Sequence, residues 1–325
     1  MLKNKPFWTV SDVDFDDYAL AMFQYQAQSN KVYAEFIKHL NIRIKDIKNV
    51  AEIPFLPIQF FKSHDVISGH FRAEQTFYSS GTTGLARSRH LVKDISVYQE
   101  SFIRAFTRCY GPVESYTILA LLPSYLEQKG SSLVFMVNAL IERTGKPESG
   151  FYLEDIDQLN EMLLELDSRG ENVLLLGVSY ALLDLVETYQ YNLENTIVME
   201  TGGMKGRRRE LIRDELHAIL CKGFGVSAIH SEYGMTELLS QASSIGNGVF
   251  ECPPWMRVCV RDTEDAMTLL PTGKSGGLNI IDLANVNSCS FIATQDLGKV
   301  HSDGSFEVLG RFDNSDIRGC NLMVF

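Results

Sequence analysis

Four aliphatic hydroxyls and two glycines fill the run Tyr78-Ser79-Ser80-Gly81-Thr82-Thr83-Gly84, and that density is the chemistry of anion binding. Glycines let a backbone wrap an oxyanion, while Ser and Thr hydroxyls and consecutive amides donate to its oxygens. The run does not continue into Gly-Lys-Ser/Thr, which argues against a Walker-type loop. A Ser/Gly/Thr linker is the alternative that composition alone leaves open. A second chemistry-bearing segment, Ser231-Glu232-Tyr233-Gly234-Met235-Thr236-Glu237, lies further along the chain.

Together the two segments resemble the nucleotide-binding motifs of the adenylate-forming superfamily, which joins a carboxylate to AMP and releases pyrophosphate. The resemblance implies that Ser79, Ser80, Gly81, Thr82, Thr83 and Gly84 close over the β- and γ-phosphates of ATP. The loop continues Leu85-Ala86-Arg87-Ser88 instead of the family's Leu-Pro-Lys-Gly, so Arg87 is the cation left to meet departing pyrophosphate. In the second segment it implies Tyr233, Gly234 and Met235 beside adenine, Thr236 on the α-phosphate and Glu237 on Mg2+. A hard cation that takes one or two carboxylates plus phosphate oxygens suits that last role, whereas a Thr-Glu pair elsewhere simply caps a helix start. Gly202, Gly203 and Met204 match the strand-end glycine pair that borders adenine and the acyl pocket. Asp296, in Thr294-Gln295-Asp296, and Arg311, in Gly310-Arg311-Phe312-Asp313, match the ribose-binding aspartate and its assisting arginine, with Gln295 in place of the usual glycine.

Within the superfamily, Ile53-Pro54-Phe55-Leu56-Pro57, Leu122-Pro123-Ser124-Tyr125-Leu126 and Ile317-Arg318-Gly319-Cys320-Asn321-Leu322-Met323 are similar to the acyl-protein synthetase component of the bacterial luminescence fatty-acid reductase. This resemblance implies transfer of the acyl group to Cys320, where a thioester keeps the carbonyl reactive, and then to a reductase or carrier protein. The sequence given stops just past the hinge motif, so either it is cut short or the lid domain and its lysine are absent, with Arg318 expected as a partial substitute. The alternatives are an acyl-CoA or aryl-CoA ligase of the phenylacetate–CoA type, with coenzyme A as acceptor, and a non-catalytic nucleotide-binding scaffold.

The elements that must position these residues alternate. Strand-like runs at Tyr116–Leu122, Val173–Gly177, Thr196–Glu200 and Val226–His230 interleave with helix-like runs at Lys93–Tyr110, Ser131–Arg143, Asp155–Arg169, Tyr180–Tyr189 and Arg207–Lys222. Such alternation predicts an α/β domain with parallel strands and crossover helices over residues 1–245. Short β-type runs at Glu251–Arg261, Gly277–Leu283, Ser290–Thr294 and Phe306–Leu309 predict a small β-rich subdomain over 246–325. At the front, Asp12 to Leu40 reads as helix capped by Ser11 and packed outside the main domain, and the prolines of Ile53–Lys62 predict an extended segment. The resemblance makes this the large N-terminal domain of the adenylate-forming fold.

The 325 residues carry a formal charge of −11 and 45% apolar residues. A large core is feasible, and nothing marks a surface for nucleic acid or an anionic membrane. No run approaches the ~18 apolar residues of a membrane span and no signal peptide opens the chain, so the protein reads as cytoplasmic. The six cysteines show no CxxC pair or ligand spacing, which disfavours zinc and a disulfide framework.

Overall fold

The computed structural model describes residues 6–80, 87–123, 130–202 and 211–312. The chain begins with two helices, α1 (Phe15–Ser29) and α2 (Lys31–His39). They are separated at Asn30, whose side chain accepts from the Tyr33 amide at 3.1 Å and caps α2. The helical stretch expected from Asp12 is therefore broken, and Ser11 does not cap it: its hydroxyl donates to Asp14, the residue just before α1. Strand β1 (Leu56–Pro57), the one-turn helix α3 (Phe60–Ser63) and the hairpin strands β2 (Gln75–Tyr78) and β3 (Arg89–Val92) follow.

Then comes the alternation: α4 (Ile95–Tyr110), β4 (Thr117–Leu121), α5 (Ser132–Thr144), β5 (Gly150–Phe151), α6 (Ile156–Ser168), β6 (Val173–Val178), α7 (Ser179–Thr188), β7 (Thr196–Thr201), α8 (Arg213–Phe224), β8 (His230–Tyr233) and β9 (Ala242–Ser244). The last strands are β10 (Val249–Phe250), β11 (Met256–Arg261), β12 (Ser275–Asp282), β13 (Phe291–Val300) and β14 (Phe306–Arg311). The strand expected at Val226–His230 begins only at His230. Gly225, at φ 72°, ends α8, and both it and Val226 donate their amides to the Cys221 carbonyl, so Val226 still belongs to the helix cap. The helix expected from Arg207 begins at Arg213, Leu211 and Ile212 preceding it without regular structure.

Two sheets carry the molecule. In the first the order is β5-β4-β6-β7-β8-β9, parallel except for the β8/β9 pair. Every residue of β4 and β6 is buried, as expected of unbroken apolar runs covered by helices on both faces. The second sheet runs β10-β14-β13-β12-β11 and is antiparallel, with β1 added in parallel to β13. Helices α1 and α2 pack on this second sheet, where the Phe23 and Tyr33 rings both lie 6.2 Å from Phe291, and not on the outside of the larger domain.

Polar side chains tie these layers together at the turn after β12. Gln26 of α1 donates through Nε2 to the Asn285 carbonyl at 2.8 Å, and its Oε1 accepts from the Ser290 amide at 2.8 Å. Trp255 donates its indole N–H to both Ser101 of α4 and Ser240 of the loop after β8, joining the first sheet's helices to the second sheet. Replacing Gln26 with Leu removes both partners of a buried turn, and we expect a loss of about 2–4 kcal/mol in urea unfolding. A variant within 0.5 kcal/mol of the parent, on the order of an ordinary surface change, would contradict this account of the turn.

Candidate functional site

The Ser/Gly/Thr run lies along the chain between two paired strands. Strands β2 and β3 pair from Gln75↔Val92 to Tyr78↔Arg89, and Ser79 then closes the foot of the loop, its hydroxyl accepting from the Ser88 amide at 2.9 Å and its amide donating to the Ser88 carbonyl. Ser80 and Arg87 are exposed. Gly81, Thr82, Thr83 and Gly84 lie outside the described residues.

The Thr236-Glu237 pair meets this foot. It is not a helix start: β8 ends at Tyr233 and the chain runs through irregular turns to β9. Glu237 is buried, and burial pushes its carboxyl pKa up, opposed by a hydrogen bond to the Ser88 hydroxyl and by the nearby charges of Arg311 and Lys62. The backbone of the pair is held from both sides. His90 Nδ1, on β3, donates to the Thr236 carbonyl at 2.8 Å, and Asn285 Nδ2 donates to the Glu237 carbonyl at 2.8 Å. Burial lowers the His90 pKa to about 4, so the ring is neutral and the carbonyl acceptor sets its tautomer. Neither His90 nor Asn285 stands out in the sequence. Each is an ordinary polar residue whose partner is distant along the chain.

On the second sheet, Asp296 and Arg311 face each other across β13 and β14, and Arg311 Nε donates to Asp296 Oδ1 at 3.1 Å. Asp296 sits inside a strand, so Gln295 breaks no turn. The Tyr233 hydroxyl donates to Asp296 Oδ2 at 2.7 Å, and its ring is buried against Phe250 and Phe306 at 5.8 and 5.3 Å. Tyr233, Asp296, Arg311 and Glu237 are thereby brought together, while Gly234 and Met235 connect them. Gly202 follows β7, and its carbonyl accepts from the Ser179 hydroxyl at 2.6 Å. Gly203, Met204, Arg318 and Cys320 lie outside the described residues. The five described cysteines are free thiols, and no group of three or more His, Cys, Asp or Glu suited to a metal occurs among the described residues. No described helix is long and apolar enough to cross a membrane.

No family model matches the chain. Along its length it is similar to the long-chain-fatty-acid–luciferin-component ligase of Vibrio harveyi, 22% identical over 329 residues that cover 93% of this chain and 85% of the relative. Among solved structures, ATP-bound MatB from Rhodopseudomonas palustris matches with a TM-score of 0.55 at 18% identity, over 73% of this chain and 47% of its own. The fold is that of the adenylate-forming enzymes. A long-chain-fatty-acid-CoA ligase from Archaeoglobus fulgidus gives a TM-score of 0.52 at 16% identity, over 73% of this chain and 51% of its own. The chain thus spans about half the length of these structures. The resemblance carried by the hydroxyl loop and the Tyr233–Glu237 segment is matched by a similarity that runs nearly end to end.

One carboxylate at this end of the sheet was not singled out by sequence reading. Glu232 pairs across β7/β8 with Thr201, whose hydroxyl donates to its Oε2 at 2.7 Å. Burial pushes its pKa up to about 7 against that hydrogen bond, and Glu200 adds to the rise. A carboxyl whose folded pKa lies above its unfolded one contributes stability that is present below about pH 4.5 and lost as pH rises through about 7. Glu232→Gln should therefore become progressively more stable than the parent between about pH 5 and about pH 8. Urea midpoints that shift in parallel for both proteins across that window would refute the assignment.

Proposed function

We propose that the protein activates a carboxylic acid with ATP as an acyl-adenylate and passes the acyl group to a thiol. The observation that carries this reading is the meeting of the hydroxyl-loop hairpin with the Thr236-Glu237 segment, where His90 of β3 donates to the Thr236 carbonyl at 2.8 Å beside the buried Glu237. The fold and the likeness to the Vibrio harveyi ligase support it, and that ligase's name points to a long-chain fatty acid as the acid.

An oxygen of the acid attacks the α-phosphorus, the bond to the bridging oxygen breaks and pyrophosphate departs. Ser79, Ser80, Thr82, Thr83 and the amides of Gly81 and Gly84 hold the β- and γ-phosphates, Arg87 meets the leaving charge and Thr236 orients the α-phosphate. Tyr233, Gly234, Met235, Gly202, Gly203 and Met204 border the adenine, and Asp296 with Arg311 receives the ribose hydroxyls. Catalysis here is positioning and charge stabilisation. Glu237 fits as the one protein ligand of Mg2+: it is a buried carboxylate without a cluster of further acidic ligands among the described residues, as suits a cation that takes its other ligands from phosphate and water. Bound there, the cation neutralises phosphate oxygens.

In the second step a thiol sulfur bonds to the acyl carbon, the acyl–phosphate C–O bond breaks, AMP leaves and the thiol proton passes to water. Cys320 is the proposed acceptor, with a reductase or carrier protein downstream.

Glu237→Gln should keep the fold and lower pyrophosphate exchange by roughly two to four powers of ten; near-parental exchange at limiting Mg2+ would remove the residue from the site. With ATP, Mg2+ and labelled acid the protein should acquire a hydroxylamine-sensitive label that Cys320→Ser abolishes while exchange persists. Label surviving in that variant, or transfer only to added coenzyme A, would favour the CoA-ligase reading.

A further inference from the structure

Two acceptor groups flank Gly234, just before the Thr236-Glu237 segment, with no cation among the described residues to answer them. Thr201 ends β7 and Glu232 lies one residue from the end of β8, paired directly in register. This is the carboxyl edge of a parallel sheet, where α/β folds bind their ligands. Among the described residues, Glu232 meets the Thr201 hydroxyl and the like charge of Glu200, and no cation. Glu200, on the opposite face of the sheet, is compensated: Arg213 and His217 of α8 each come within 3.7 Å and Ser179 donates to it at 3.3 Å.

Gln241 is the second acceptor. Its side chain is only 6% exposed, its Nε2 donates to the Tyr98 hydroxyl at 3.3 Å, and its buried Oε1 has no partner among the described residues. Gly234 brings the two together. A Cβ built there would lie 2.5 Å from Glu232 Oε1 and 3.2 Å from Gln241 Cγ, so the missing side chain is what lets both occupy one place. A buried carbonyl with no donor among the described residues is costly unless a ligand supplies one.

We propose that Thr201, Glu232 and Gln241 recognise a hydrogen-bond donor, a hydroxyl or an ammonium group, on the chain of the acid that is activated. The inference rests on the carboxylate-activating reading above and narrows its substrate from an alkanoate to a hydroxy- or amino-substituted acid. An unsubstituted alkyl chain leaves Gln241 Oε1 unpaired, and a site built to bond a donor discriminates strongly against an analogue lacking it.

The test is ATP–pyrophosphate exchange with straight-chain alkanoates and the same acids carrying a hydroxyl or amino group at successive positions along the chain. The best donor-bearing acid should exceed its parent alkanoate in kcat/KM by ~10-fold or more. Gln241→Leu and Glu232→Gln should each narrow that ratio, and Glu232→Gln should narrow it more for ammonium than for hydroxyl, because it removes the charge and keeps the shape. An alkanoate used as well as its substituted counterparts by the parent protein would overturn the proposal while leaving acid activation standing; should neither variant fold, this comparison alone decides. A ratio unchanged in two folded variants would also overturn it. Exchange with no acid at all would instead strike down the carboxylate-activating reading, and this inference with it.

Discussion

Asp282, fully buried at the end of β12, anchors the loop on which the candidate site depends. Its carboxylate accepts from the Leu239 amide at 2.8 Å, the Ser240 hydroxyl at 2.6 Å and the Ala284 amide at 3.0 Å. Burial raises its pKa and those donors oppose the rise, so the group is held by hydrogen bonds where water cannot reach it. The chain between β8 and β9 has no regular structure to give it shape. Its form comes from the second sheet, through Asp282 at Leu239 and Ser240 and through Asn285 at Glu237. Because Gln26 in turn holds the 285–290 turn, the position of Glu237 is linked through buried hydrogen bonds to a helix near the start of the chain.

Charge is arranged locally in this acidic protein. Against a formal −11, basic groups gather at one place: Lys62 and Arg311 near Glu237, and Arg311 paired with Asp296. The two faces of β7 and β8 differ in the same currency. On one, Glu200 has basic neighbours; on the other, Glu232 has a hydroxyl and a glycine-shaped space. Identical side chains one strand apart thereby acquire different chemistry, set by which helix packs over them.

Much of the fold was legible because local signals and tertiary demands agree. The runs at Thr117–Leu121 and Val173–Val178 are apolar at every face-determining position apart from one threonine and one glycine, and they became central parallel strands. Ser131 caps α5 through the Val134 amide, and Asp155 caps α6 through the Gln158 amide, so those helices start where the sequence marks them. Reading went astray where a local device competes with periodicity. Asn30 interrupts a helical pattern by capping the next helix, and the Gly225 turn delays β8. Two residues, Leu56 and Pro57, join the far sheet as β1, too short for a period of two to show.

By itself the sequence determined the motifs, the alternation of elements and hence the class of fold, because hydroxyl-glycine runs, caps and buried apolar stretches are properties of neighbouring residues. Only the tertiary structure decided that His90 holds the Thr236 carbonyl and Asn285 the Glu237 carbonyl, and that Glu232 and Gln241 both lie against Gly234. His90 is separated from Thr236 by 146 positions, and Asn285 from Glu237 by 48. A single polar residue carries no record of a partner that far away; the pairing arises when the packing of two sheets removes water from both groups and brings each within reach of the other.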